Sequence, residues 1–283
     1  MKINWKWAFR GMMAFMVACF GVYWGSMTWL KVNEHEVVLP RLPEGLDGLR
    51  ILHITDLHSD DPEKMHFDIW KTIDKLSFDM AVITGDMIMG GRRSALSELD
   101  PHLEALEALA ARVPTFFVAG NHDYMVLPEM MALLESIGIT TLQDEACVLV
   151  HNGTELTVAG TLDAYHYGKK ENYHTMHEMM AQAGDGFRIV LTHQPQMFDA
   201  LQAYAPDFVV AGHTHGGQLR LPFFPTLYAP GQGFFPKYGD GFYTDADTGA
   251  VMYVSRGIGA TQFRVRFFNR PELAVFTLRV QKR

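Results

Sequence analysis

The chain has 283 residues, of which 48% are apolar and 20% charged, with a formal charge of −8. That length supports one catalytic domain with a substantial core, and the composition fits neither a disordered chain nor a polytopic membrane protein. Net acidity counts against a domain that binds nucleic acid by neutralising phosphates, so no sequence-specific nucleic-acid partner is expected, and Cys19 and Cys147 alone cannot build a disulfide framework.

In chain order, Lys2, Lys6 and Arg10 precede an uncharged run from Gly11 to Leu30, long enough to span a bilayer. Trp5 and Trp7 on one side, and Trp24 and Trp29 on the other, stand where interfacial aromatic residues belong. The run continues through Phe20, Tyr23 and Trp24, past the about 7–15 apolar residues of a cleavable signal, which favours an uncleaved anchor over a signal or a buried soluble helix. Met16-Val17-Ala18-Cys19 faintly resembles a lipoprotein processing box, but apolar residues continue beyond Cys19. Basic residues before the span predict a single-pass protein of the cell membrane with a cytoplasmic N-terminus and an extracytoplasmic catalytic domain, although Lys31 and Arg41 weaken the asymmetry. The expected organisation is a cytoplasmic segment 1–10, an anchor 11–30, a linker 31–48 marked by Pro40 and Pro43, and a catalytic domain 49–283.

Within the domain, Arg50 to Thr55 reads as a strand, followed by a polar loop and a helix from Pro62 to Leu76 with Ile69, Trp70, Ile73 and Leu76 on one face. A strand at Met80 to Thr84, a Gly-rich loop, a helix from about Ser94 to Ala111 and a strand at Thr115 to Val118 repeat the unit, which indicates α/β architecture. Asn152-Gly153 between apolar runs signals a tight hairpin and hence a mixed or second sheet. Arg188 to Thr192 and Phe208 to Ala211 read as buried strands, and further strands fall near Val251–Val254 and Leu273–Val280.

Five polar clusters directly follow five of these strands: Asp56-Leu57-His58, Gly85-Asp86, Gly120-Asn121-His122-Asp123, His193, and Gly212-His213-Thr214-His215-Gly216-Gly217. The carboxyl ends of strands are where open α/β sheets bind ligands. Carboxylates, imidazoles and an amide oxygen without thiolate suit Zn, Mn or Fe better than Ca or a structural Zn site. In an extended segment Asp56 and His58 share a face and can grip one ion, and His213 and His215 repeat that spacing. The glycines before Asp86, Asn121 and His213 let the backbone turn sharply.

These motifs, D-L-H, G-D, G-N-H-D, a lone His and G-H-T-H-G-G-Q, resemble the signature of the calcineurin-like metallophosphoesterase superfamily. The extended last motif, V-S-R-G-I-G around Arg256 and N-R-P-E-L around Pro271 resemble its membrane-associated bacterial YkuE/YaeI-like branch. The resemblance implies an α/β fold, an α-β-β-α sandwich of two mixed sheets with active-site loops at strand carboxyl ends, preceded here by one transmembrane helix. It also implies a cofactor of two divalent ions, Mn, Zn or Fe. Asp56, His58 and His215 would hold one, Asn121, His193 and His213 the other, and Asp86 would bridge them. A bridging hydroxide would attack phosphorus, with His122 as the proton donor. Asp123 either orients His122 or is a solvated loop carboxylate.

His53 alternates with Leu52 and Ile54 and is expected to support a ligand from behind. His66, His102, His151, His166, His174 and His177 lie outside the motifs and read as surface or helix residues. Arg92 and Arg93 either meet substrate phosphate or start a solvated helix. After Gly85-Asp86 the chain reads M-I-M-G-G-R-R, where the resembling protein serine/threonine phosphatases have an acidic V-D-R-G continuation, so a phosphoprotein substrate is disfavoured. The expected activity is a phosphodiesterase ahead of a phosphomonoesterase. A lipid-linked pyrophosphatase, of the UDP-diacylglucosamine hydrolase type, is the alternative, and a metal-binding scaffold the non-enzyme one. Phe223, Phe224, Tyr228, Phe234 and Phe235 either pack a long loop onto the core or face a bilayer or acyl chain.

Overall fold

The computed structural model describes residues 5–59, 67–90, 95–167, 173–221, 223–259 and 265–282. Lys2, His66, Arg92, Arg93 and the expected helix starts at Pro62 and Ser94 lie outside the described residues. The strands are β1 (Lys31–Leu39), β2 (Arg50–Ile54), β3 (Met80–Ile83), β4 (Thr115–Phe117), β5 (Thr140–Thr141), β6 (Glu145–His151), β7 (Thr154–Gly160), β8 (Arg188–Leu191), β9 (Phe208–Ala211), β10 (Tyr228–Ala229), β11 (Gly233–Phe234), β12 (Gly241–Thr244), β13 (Val251–Val254) and β14 (Glu272–Val280). The helices are α1 (Trp5–Thr28), α2 (Ile69–Ile73), α3 (Asp100–Arg112), α4 (Leu127–Ser136), α5 (Ala164–Tyr167), α6 (His174–Gln182) and α7 (Phe198–Leu201).

Two mixed six-stranded sheets result, ordered β1-β14-β2-β3-β4-β5 and β12-β13-β9-β8-β7-β6. Strands β2 to β5 run parallel in the first, and β7, β8, β9 and β13 run parallel in the second. Three apolar clusters define the layers. Ile51, Val82, Phe116, Ile189, Phe208 and Phe276 fill the space between the sheets. Leu52, Ile54, Ile83, Leu106 and Leu134 join the first sheet to α2, α3 and α4, and Val190, Val209, Met176, Met180 and Phe198 join the second to α6 and α7. This is the α-β-β-α sandwich, and the period-two alternation along β2 is what sends Ile51 inward and Leu52 and Ile54 toward the helices.

Differences from the sequence reading have physical causes. Lys31 to Leu39 is strand β1, not linker, and it pairs parallel with β14 over its whole length. Only Val37 and Leu39 of it are buried, so its own pattern is weak and the distant partner makes it a strand. Pro40 follows at once and can donate no ladder bond. Helix α2 starts at Ile69, because Asp68 is extended and caps it by accepting from the Lys71 N–H at 3.0 Å. The hairpin at Asn152-Gly153 forms as expected, with φ of 49° and 74° at the two turn residues. Helix α1 begins ahead of the expected span, enclosing Lys6 and Arg10, and ends at Thr28. It is long and apolar enough to cross a membrane, with 17% of its most apolar window buried against the rest of the chain.

Candidate metal centre

Five parallel strands, β2, β3, β4, β8 and β9, end at one edge of the sandwich and deliver Asp56 and His58, Asp86, Asn121 and His122, His193, and His213 and His215 to that edge. The loops are not extended, which corrects the spacing argument. Asp56, His58, Asp86, His213 and His215 all have φ between 49° and 69°. Non-glycine residues rarely adopt this left-handed region, and five together at one edge mark backbone held in place by its surroundings for a purpose. Asp56 and His58 still share a site, grouped with His215, whereas His213 turns away from His215 and groups with His193 and Asp86. Gly85 has the positive φ (84°) expected of a turn glycine, but Gly212 is required for space: a Cβ there would collide with Thr55 Oγ1 and Asp56 Oδ2.

The ligand atoms converge around Asp86 Oδ2. His193 Nε2 lies 3.2 Å from it and His58 Nε2 3.8 Å. On the His58 side, His215 Nε2 is 3.0 Å from His58 Nε2 and 3.3 Å from Asp56 Oδ1. On the His193 side, His213 Nδ1 is 3.2 Å from His193 Nε2. Donors at about 2.0–2.1 Å from a tetrahedral ion stand roughly 3.3 Å from one another, so these are separations suited to atoms sharing a cation. Lone pairs facing each other this closely repel unless a proton or a cation lies between them. Asn121 Oδ1 is buried with no hydrogen-bond partner among the described residues, which leaves its lone pairs for a cation as well. The residues therefore form clusters fit to hold divalent metal, and Asp86 stands in a group with His58 and in another with His193 and His213.

Backbone carbonyls set the imidazoles. His193 Nδ1–H donates to Thr84 O at 2.6 Å, and His58 Nδ1 lies 3.3 Å from Ile88 O, which turns each Nε2 toward the site. Burial keeps His58 and His213 neutral, lowering them to about 4 and about 3, and with the charges of His58 and Arg266 holds His215 well below its usual range. Neutral imidazole is the form that binds a cation. Burial pushes Asp56 up to about 6. At Asp86 and His193 burial opposes the charges, yet their mutual attraction dominates, holding Asp86 well below the carboxylate range and His193 well above the imidazole range.

His122 sits at the rim, its side chain 23% exposed, with Nε2 3.9 Å from Asp86 Oδ2. Its ring is held by a hydrogen bond between Nδ1 and the Met89 carbonyl. Asp123 does neither thing expected of it. It is fully buried, and its two oxygens accept N–H bonds from Asp86 (2.8 Å), Met87 (2.9 Å), Ile88 (3.3 Å) and Gly120 (2.9 Å). It thus shapes the loop that carries Asp86 and Met89 and acts on His122 only through that loop. His53 has the supporting place expected of it: its Nε2 bonds Thr84 Oγ1 at 2.7 Å, and the Thr84 carbonyl holds His193. His102, His151, His166, His174 and His177 join none of the metal groups.

Two residues escaped the sequence reading. Asp163, fully buried beyond the end of β7, accepts from Gln194 Nε2 at 3.0 Å beside His193 and leaves Oδ2 without a partner. A carboxylate just after a parallel strand is the same signal that found Asp56 and Asp86. Arg266 is buried at 1% exposure, donates to the carbonyls of Arg256 and Gly259 and reaches within 3.4 Å of His215 Nδ1. It follows no strand, so no pattern flagged it. Phe223, Phe224, Tyr228, Phe234 and Phe235 are all exposed, which overturns the packing of that loop onto the core.

A family model described as calcineurin-like phosphoesterase matches residues 49–217. An uncharacterized metallophosphoesterase of Bacillus subtilis, YkuE, is 28% identical over 88% of this chain and 86% of its own length. A phosphodiesterase of Escherichia coli, YaeI, is 27% identical over 88% of each chain. A UDP-2,3-diacylglucosamine pyrophosphatase of Chlamydia muridarum, LpxG, is 26% identical over 87% of this chain and 88% of its own.

Proposed function

The chain belongs to the calcineurin-like phosphoesterase family, and from that premise we propose that it is a dinuclear metal-dependent hydrolase of phosphodiesters, anchored to the cell membrane by α1. Asp56, His58 and His215 would hold one ion, Asn121, His193 and His213 the other, and Asp86 would serve both. The observation that carries the reading is the position of Asp86 Oδ2, within 3.2 Å of His193 Nε2 and 3.8 Å of His58 Nε2, one from each group. When bound, the pair of ions supplies Lewis-acid stabilisation of phosphoryl charge and lowers the pKa of water.

The chain's own groups do the rest. The left-handed loops hold the ligands so that little reorganisation accompanies substrate binding. His122, partly exposed and pinned at Nδ1 by the Met89 carbonyl, turns Nε2 toward the centre, where it protonates the leaving oxygen. Asp123 keeps the Asp86–Met89 backbone in the shape that aims both Asp86 and His122.

The test is a hydrolysis panel with the full chain loaded with Mn, Zn or Fe: model diesters, monoesters, nucleotides and lipid-linked diphosphates. Faster turnover of monoesters than of diesters in every metal form would overturn the diester assignment. The exposed aromatic loop next to the His213–Gly217 turn favours a second reading, a lipid-linked pyrophosphatase, and the likeness to LpxG is consistent with it. Lys6 and Arg10 ahead of the apolar run support a cytoplasmic N-terminus and an extracytoplasmic domain. Precursors made inside the cell would not meet that site, so topology separates the two readings.

A further inference from the structure

A groove of ≈ 590 Å³ lies between α1 and the side chains of Arg256, Phe268 and Arg270. Ala18, Gly21, Val22 and Gly25 of α1 line one wall, Phe268 faces them, and Lys31, Arg256 and Arg270 supply positive charge. The basic part is the end where α1 stops, because Arg270 Nε and Nη2 donate to the carbonyls of Trp29 and Leu30, both at 2.9 Å. Those acceptors are uncharged, so the guanidinium keeps its net charge. Among the described residues neither Arg270 nor Lys31 makes an ion pair, and both cations face the groove. Arg256 differs: it is bound to Asp240 at 3.0 Å and contributes wall more than charge. Among the described residues no atom lies within 4 Å of where a Cβ on Gly21 would stand.

The groove is therefore apolar along the helix and cationic where the helix ends. From Ala18 to Trp29 the helix rises roughly 16 Å, about the depth of one leaflet's hydrocarbon. A packed partner helix would satisfy the apolar wall and leave Lys31 and Arg270 uncompensated. Free phosphate would do the reverse. An amphiphile with an anionic phosphate head satisfies both. The neighbouring surface agrees: Leu219 bridges to Phe267, and the loop that begins there exposes Phe223, Phe224, Phe234 and Phe235.

We propose that this groove binds one anionic glycerophospholipid, its phosphate against Lys31 and Arg270 and an acyl chain along Ala18, Gly21 and Gly25, and that the bound lipid holds the catalytic domain against the leaflet. The proposal rests on the reading of α1 as a membrane anchor. It is tested by native mass spectrometry of the full chain released from micelles containing equal phosphatidylglycerol and phosphatidylcholine. One phosphatidylglycerol should remain per chain, with phosphatidylcholine retained about tenfold less. Lys31→Glu, at an exposed position, and Gly21→Leu, which fills open space, should each cut retention about tenfold, one at the head and one at the chain, while Lys282→Glu retains the lipid. Equal retention of the two lipids, unchanged retention in both variants, or displacement by millimolar inorganic phosphate would overturn the proposal. Alkaline extraction of membranes reads the anchor separately: release of the chain defeats the anchor, whereas membrane retention with unselective lipid binding defeats the groove alone.

Discussion

Asp86 Oδ2 lies 3.2 Å from His193 Nε2, and the two side chains hold each other's charge, Asp86 well below and His193 well above its ordinary range. Under the proposed assignment this carboxylate would serve both coordination spheres. Asp86→Ala should therefore remove both ions and abolish turnover, where loss of a single-sphere ligand such as His215 leaves one ion behind. Metal analysis of the purified variant checks it, and retention of two ions per chain would contradict the shared role.

Asp123 accepts four backbone N–H bonds in a site without exposure. Asp123→Asn puts an amide N–H where backbone donors need an acceptor, and leaving a buried polar group unsatisfied costs about 1–3 kcal/mol. The variant should unfold at lower urea and bind metal more weakly, although Asp123 touches no ion. Urea midpoints and metal titration both read this. Unchanged values in each would mean the loop keeps its shape without the carboxylate.

His53 is buried, and burial lowers it to about 3. Its folded pKa lies below the unfolded value of 6.5, so the unfolded chain binds the extra proton and stability falls as pH drops from about 6.5 toward 3. The slope from this one group is at most about 1.4 kcal/mol per pH unit. His53→Gln removes it. Wild type and variant, compared by urea unfolding at pH 7.5 and 5.5, should differ by about that much less at the lower pH. The same difference at both pH values would show that His53 titrates normally in the folded protein.

Much of the site could be read in the sequence because short strands ending in polar loops are local signals. Asp56, Asp86, His193 and His213 each stand within three residues of a β-strand's end. What could not be read depends on distant partners. Strand β1 exists through its pairing with β14, more than two hundred residues away. The left-handed backbone at Asp56, His58 and His215 is imposed by the loops packed around them, where spacing alone suggested extended chain. Asp123 illustrates the limit further, since its neighbour His122 suggested a partner and its actual partners are the N–H groups of a loop from another strand.

Membrane topology is open to a direct measurement. With an uncleaved α1 and Lys6 and Arg10 retained inside, a periplasm-type reporter fused after Arg283 should be active and a cytoplasmic one silent, and the mature chain should keep its first residues. The opposite pattern would place the metal centre inside the cell and raise the lipid-linked pyrophosphatase above the diesterase.

His122 separates proton transfer from metal binding. Its neighbour Asn121 leaves Oδ1 free for a cation, while the His122 ring stands at the rim with Nε2 3.9 Å from Asp86 Oδ2 and Nδ1 held by the Met89 carbonyl. His122→Asn should keep both ions and slow hydrolysis by roughly 10²–10⁴-fold when the leaving group is a poor alkoxide, the range that general-acid catalysis supplies. With nitrophenolate the loss should be much smaller, because a weakly basic leaving oxygen carries its negative charge without needing the proton. The variant also keeps the His122 backbone N–H that Asp86 Oδ1 accepts at 2.8 Å, so the carboxylate's position is not disturbed by the change of side chain. Steady-state rates on the two ester classes, set beside metal content, decide the matter. An equal loss on both classes, or a missing ion, would make His122 part of the metal-binding framework and return the proton donor to the list of unassigned groups near the rim.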